Sequence, residues 1–299
     1  MNPSYSTLLA SLLALAGCAR PAPTANPHFV LGAAWQAEGV WHYPALSFDL
    51  TETGLASVYG ANAAKLTTDG EVFDPTALTA AHPILQLPAI LRLTNLETGL
   101  QLRVRVNDRG PANPGRVLAV TPRVAALLEF PPGGVARVRL EVLQAESREA
   151  AETVQGGNAA RLEVATAPRQ SVQQETLPPP QGTPASGRPE QPPQASGTGA
   201  DTGAVVDSIA VPRLAEIVTR VAPEPGRLWL RLGRFSRSEF ARMQLVRVAH
   251  LGAEIETVRN GRVIEYRVNM GPYGRVADAD AALGQVIAAG ITDGQIVIE

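Results

Sequence analysis

Between residues 148 and 222 the chain loses all apolar periodicity, and this break limits what the rest can fold into. Segments such as Leu177-Pro178-Pro179-Pro180-Gln181-Gly182 and Pro189-Glu190-Gln191-Pro192-Pro193-Gln194 offer little apolar surface. Burial there falls short of the conformational entropy lost on ordering. The segment is predicted to be a disordered tether, extended in part as polyproline II. With 27 glycines and 25 prolines, many of them clustered, the 299 residues do not read as one core. They divide into a leader (1–17), a short tether (18–29), a globular region (30–147), the long tether (148–222) and a second globular region (223–299).

Charge and cysteine usage exclude several classes of function. Lys and Arg total 26 against 28 Asp and Glu, a net charge of −2, so nothing draws this chain to nucleic acid or to anionic lipid in general. Cys18 is the one cysteine, which excludes an internal disulfide and a cysteine-based metal site. His28, His42, His82 and His250 lack the spacing of metal ligands, so neither a metal nor another cofactor is expected. Leu8 to Ala16 is an apolar run too short to span a bilayer, but of the length of a signal-peptide core.

In the first globular region, Trp35, Trp41, Tyr43 and Phe48 mark an extended, aromatic-bearing lead-in. Thr53 to Gly60 reads as a strand and its turn. A second strand opens at Pro88–Leu93, and a hairpin through Asn95-Leu96-Glu97-Thr98-Gly99 returns the chain into Leu102-Arg103-Val104-Arg105-Val106. There the apolar residues face one way and the arginines the other, the period of a half-buried strand. The strand runs into Asn107-Asp108-Arg109-Gly110-Pro111, which ends it in a turn and holds an aspartate at the sheet's rim. A short helix at Thr121–Glu129 and a closing strand through Val138, Leu140 and Val142 complete the pattern. Many short strands with Gly/Pro turns predict a small β-barrel.

Four motifs then carry a family resemblance. Gly70-Glu71-Val72-Phe73-Asp74, Leu78-Thr79-Ala80-Ala81-His82, Leu93-Thr94-Asn95-Leu96 and Val104 to Pro111 resemble, in order and spacing, the rare lipoprotein A family. The resemblance implies a double-psi β-barrel and a periplasmic lytic transglycosylase acting on peptidoglycan glycan strands. It places the functional acids on Asp108 and Glu71, with Asp74 and His82 as further groove residues. Leu15-Ala16-Gly17-Cys18 similarly resembles a bacterial lipobox. That resemblance implies acylation of Cys18 and a lipid anchor in the outer membrane, facing the periplasm.

The reaction asks for one carboxyl group that first donates and then accepts a proton. Asp108 is expected to fill that role, with Glu71 or Asp74 raising its pKa by like-charge repulsion. Asn107 is a candidate hydrogen-bond donor to substrate, and Arg109 a candidate partner for its carboxylate. Asp74 before Pro75 reads equally as a turn cap, and His82 before Pro83 as a backbone ligand within a turn. Val58 and Ala61 to Leu66 depart from the aromatic and histidine residues usual in the family. That departure leaves open an alternative class, a glycan-binding tether that does not cut.

The second globular region opens with the alternating Arg227–Gly233. Ser236 and Glu239 have capping-box spacing before a helix. Asn260-Gly261 joins two strands, a second helix carries Ala279, Ala282, Leu283, Val286 and Ile287 at helical spacing, and Gln295–Glu299 forms the last strand. The βαββαβ order predicts an α+β, ferredoxin-like sandwich. Leu230 to Phe235 and Tyr266 to Tyr273 resemble the half-repeats of the SPOR family. This implies binding to peptide-free glycan strands at division septa, near division-machinery proteins, with Arg231 and Tyr266 as candidate contacts on the sheet. If the lipobox reading holds, Cys18→Ser moves the protein from the membrane pellet to the soluble fraction on cell fractionation. Equal pelleting of both forms would overturn it.

Overall fold

The period-two segments emerge as strands, and their pairing closes a barrel. A computed structural model describes residues 24–60, 63–154, 211–261 and 263–299. Cys18, its leader and residues 155–210 of the expected tether lie outside the described residues. The first elements are β1 (Trp35–Ala37), β2 (Val40–His42), β3 (Thr51–Val58), β4 (Thr79–Ala81), β5 (Ala89–Asn95) and β6 (Leu100–Asp108). After them come β7 (Leu118–Val120), α1 (Pro122–Leu127), β8 (Val135–Val142) and α2 (Gln144–Thr153).

Strands β4, β7, β3, β8, β5 and β6 pair in that order, and β4 pairs back onto β6. This closed six-stranded barrel matches the double-psi expectation. Two pairings are parallel, β3 with β7 and β4 with β6. Closure removes the free edges that an open sheet would present. Leu91 and Leu93 of β5, Val104 and Val106 of β6, and Leu140 of β8 fill the interior, and Val124 and Leu128 of the α1 region join them. The register of β4 against β6 shifts between Ala80 and Ala81, so Asn107 is an extra residue in β6. Such a bulge bends its strand and re-aims the neighbouring side chains.

Two stretches differ from the sequence expectation. The aromatic lead-in folds back as the β1–β2 hairpin, with Trp35 stacked on His42 at 4.4 Å and its Nε1 donating to the Pro83 carbonyl. Residues 148–153, expected in the tether, belong to α2, which covers the outer face of β5. The Ser147 hydroxyl accepts from the Ile90 N–H (2.9 Å) and donates to the Ile90 carbonyl (3.1 Å). It satisfies backbone groups that no neighbouring strand reaches.

The chain resumes at residue 211 and lies along the barrel, where a tether was expected up to 222. In β9 (Thr219–Arg220) it pairs with β6, and the Val221 N–H donates to the Gly99 carbonyl. A side chain at Gly99, where φ is +73°, would meet the Val221 carbonyl oxygen at 2.1 Å, so this approach requires glycine.

The C-terminal elements are β10 (Leu228–Phe235), α3 (Ser238–Val248), β11 (Glu254–Asn260), β12 (Val263–Tyr273), α4 (Val276–Ala288) and β13 (Gln295–Ile298). They form an antiparallel sheet in the order β11-β12-β10-β13, the predicted βαββαβ arrangement. The predicted capping box is not formed: α3 starts after Arg237, with no side-chain cap bond. Among the described residues, no helix is long and apolar enough to cross a membrane.

Strand β13 rests on barrel strand β3. The Thr53 hydroxyl donates to the Ile298 carbonyl (2.9 Å) and accepts from the Ile298 N–H (3.2 Å). Arg116 grips Asp280 through two bonds of 2.7 and 2.9 Å. Leu55, a barrel residue, is fully buried in the same apolar cluster as Leu228, Leu230 and Ile296. Leu55→Ala is therefore expected to lower unfolding free energy by about 2–5 kcal/mol in urea titration, with faster amide exchange in β13. An unchanged midpoint would refute that anchoring role.

Candidate active site

The end of β6 builds the site by placing two kinds of side chain around its bulge. Asp108 lies half-exposed at the rim. Its Oδ1 accepts from the Thr68 N–H (2.9 Å), the Thr68 hydroxyl (2.6 Å) and the Arg109 N–H (2.8 Å). Its Oδ2 carries no hydrogen bond from another described residue. The buried Tyr59 hydroxyl lies beside this carboxylate, and burial, then Asp108, pushes the phenol's pKa upward. Tyr59 in turn meets the Phe73 ring edge-on at 5.0 Å.

Thr68 holds its position because the turn carrying it is tied down from below. Arg105 and Asn107 stand two apart on β6 and so share its outer face. The Arg105 Nε donates to Glu71 Oε1 at 2.7 Å, and Asn107 Nδ2 donates to Glu71 Oε2 at 2.8 Å. A charge-assisted pair of this kind is among the stronger hydrogen bonds available to a protein. Asp69 is fully buried beneath the same turn. Its Oδ1 accepts from the Thr67 hydroxyl (2.7 Å) and the Glu71 N–H (3.2 Å). Burial first, and the neighbouring Glu71 carboxylate second, raise the Asp69 pKa to about 8. Gly70, at φ +85°, lets the turn press on the chain before β1: a Cβ there would lie 2.2 Å from the Asn26 carbonyl oxygen.

The other expected site residues go elsewhere. Asp74 Oδ1 accepts from the Thr76 N–H (2.8 Å) and hydroxyl (2.6 Å), the turn-cap alternative, and its Oδ2 pairs with Arg213. His82 is buried; its Nδ1 accepts from the Ile84 and Leu85 N–H groups at 3.2 and 3.1 Å, so the ring does bond backbone in a turn. Arg109 points away from Asp108's free oxygen, its guanidinium donating to the carbonyls of Leu31, Leu85 and His82. These oxygens are neutral main-chain acceptors, which turns the side chain into a brace for the 82–85 loop. Asn107 is buried under Glu71, where it holds that carboxylate. The expected like-charge pairing with Asp108 is replaced by one between Asp69 and Glu71, because Arg213 and Arg105 already face Asp74 and Glu71.

Residues 51–140, which contain this whole constellation, match the family described as lytic transglycolase. The barrel is thus similar to that family over residues 51–140. The chain is 35% identical over 126 residues to the endolytic peptidoglycan transglycosylase RlpA of Rickettsia bellii, covering 41% of this chain and 56% of that protein. It is 54% identical over 79 residues to the protein of that name from Yersinia pestis, covering 26% of this chain and 22% of the relative. With the Escherichia coli K12 protein of that name it shares 49% over 77 residues, 25% of this chain and 21% of the relative. The chain thus spans just over half the length of the first of these relatives and about a fifth of the other two. All four motifs that suggested the rare lipoprotein A family lie inside the matched barrel stretch.

The two C-terminal candidates separate. Arg231 pairs with Glu299 on the sheet face away from the helices. Tyr266 packs against the apolar cluster of Val268 and Met270 on the opposite side, so it is core rather than a surface contact. Alternation along β12 decides this, since Tyr266 keeps step with Val268 and Met270. Sequence reasoning missed Asp69 and Arg105. An acid two residues before Glu71, and an arginine two before Asn107, were the available signals. Among the described residues, no cluster of three or more His, Cys, Asp or Glu is arranged to hold a metal ion.

Asp69 generates a pH prediction. Its folded pKa, about 8, exceeds the ordinary carboxyl value of 3.8, so the folded form keeps a proton that the unfolded chain loses. That contribution is full below about pH 4 and fades as pH rises toward 8. Asp69→Asn, which mimics the protonated acid, is expected to flatten the fall in melting temperature between pH 5 and 8. Parallel pH profiles for the two proteins would refute this.

Proposed function

We propose that the barrel cleaves peptidoglycan glycan strands as a lytic transglycosylase, with Asp108 as both acid and base. One observation carries this reading: a half-exposed carboxylate, one oxygen held by three donors and the other left open, inside the stretch matching the lytic transglycolase family. The proton of the Asp108 carboxyl passes to the glycosidic oxygen as the bond from MurNAc C1 breaks, and GlcNAc leaves with a hydroxyl. The MurNAc C6 oxygen then bonds to C1, closing the 1,6-anhydro ring, and its proton returns to Asp108. No water is consumed, unlike the two-carboxylate scheme of hydrolytic glycosidases. Glu71 and Asn107 act as positioning residues. They hold the 67–71 turn, and the turn holds Thr68 against Asp108.

In the same reading the C-terminal sheet is a SPOR-type module for peptide-free septal glycan, and its βαββαβ order supports this. Arg231 is then the candidate contact on the open face. Acylated Cys18 anchors the protein in the outer membrane facing the periplasm, and the segment after α2 gives it reach to the wall and to division proteins.

Incubating denuded glycans with the protein, followed by mass spectrometry, tests the reading. Anhydro-ended fragments are expected from the native chain, with release slowed about a hundred- to ten-thousand-fold by Asp108→Asn, the range of general acid–base catalysis. Binding without fragments from the native chain would support a tether instead.

A further inference from the structure

A cavity of about 290 Å³ opens beside the β1–β2 hairpin, lined by barrel residues and by the approach to β13 from Thr292 to Ile296. Its lining shares no side chain with the Asp69–Glu71–Asp108 cluster. The size is near the lower end for small-molecule pockets, suited to one compact unit of a ligand.

Its mouth is aromatic. Trp41 and Tyr43 line it, are 52% and 67% exposed, and stack on each other at 6.5 Å with an interplanar angle of 27°. The single-residue alternation of β2 turns Trp41 outward while His42 packs on Trp35. Two large rings held side by side in water present a flat apolar surface with polar edges, the form that covers the apolar face of a sugar ring.

The wall is polar and incompletely bonded. Because His82 Nδ1 accepts two backbone N–H groups, its proton sits on Nε2. That nitrogen is buried and has no hydrogen-bond partner among the described residues. Glu52 Oε2 lies 3.8 Å from it, too far for a direct bond. The pair therefore offers a donor and an acceptor that one hydroxyl would satisfy together. A buried donor left unpaired is costly, and a ligand recovers that cost by bonding to it. His42 Nε2 is a second buried, unpartnered nitrogen in the lining, and burial, then His82, lowers the His42 pKa toward the neutral ring.

The charges select against anions. Among the described residues, the lining holds one guanidinium, Arg116, already taken by two bonds to Asp280, while Glu52 and Asp293 are carboxylates. A carboxylate or phosphate finds no free cation there, whereas a neutral, hydroxyl-rich ring finds a stacking surface, a donor and acceptors.

We propose that this cavity is a second saccharide subsite, binding one neutral amino-sugar unit of a glycan strand through Trp41, His82 and Glu52. The choice of glycan rests on the proposed function; the neutral sugar ring rests on the cavity itself. The test titrates the full-length protein carrying Asp108→Asn with chitotetraose, a neutral β-1,4-linked amino sugar, by calorimetry. The His82 ring Nε2–H signal is followed by NMR.

Trp41→Ala and Glu52→Gln, each added to that protein, are expected to weaken binding at least tenfold, with melting temperatures unchanged. The His82 signal shifts on titration only when Trp41 is present. Undiminished affinity in both variants, or no binding at millimolar chitotetraose, overturns the subsite. If binding depends on Trp41 while the native chain releases no anhydro fragments, the subsite stands and the cleavage reading falls.

Discussion

The Arg105 guanidinium, buried on the outer face of β6, is the contact on which the site depends. It holds Glu71, Asn107 holds the other oxygen of that carboxylate, and the turn from Thr67 to Glu71 is thereby pinned to the barrel wall. Thr68 hangs from that turn and supplies two of the three donors on Asp108. Losing one partner of a buried ion pair strands the other's charge, at a cost of about 3–5 kcal/mol. The half-exposed acid at the rim is therefore positioned by an arginine that never reaches the groove.

Barrel closure makes such an arrangement available. Parallel pairing of β4 with β6 brings His82 and Asp108 to adjacent strand ends, and the bulge at Asn107 lets successive side chains serve different surroundings. On one side of the chain Asp108 meets Thr68; on the other Arg109 ties down the 82–85 loop and the chain at Leu31 ahead of the hairpin. His82, anchored by that loop, turns its free nitrogen toward Glu52. One strand end thus organises both the acid and the cavity wall.

Much of the fold was legible in local pattern. Alternation in β6, β8 and β10, the turn at Asn95–Gly99, and Asn260-Gly261 each express a rule that acts within a few residues, and each became the expected element. The tether's ends were not legible. Residues 148–153 and 211–222 have weak periodicity, and their order comes from the barrel surface they cover: Ser147 on β5, Val221 against Gly99, Leu214 on the barrel core. Burial of Arg105 was equally hidden. The pattern correctly placed it opposite Val104 and Val106, but only the overlying turn makes that face an interior.

The sequence by itself determined a barrel followed by a βαββαβ sheet and an aspartate at a strand end, because strand period and turn chemistry are local properties. Tertiary structure decided which charged groups meet. It moved Arg109 and Asp74 into bracing roles, brought in Asp69 and Arg105, sent Tyr266 into a core, and gathered Trp41, His82 and Glu52 around one cavity. Those partnerships join residues tens of positions apart, so they depend on barrel closure and on what packs over each face, and neither is written in any short stretch of chain.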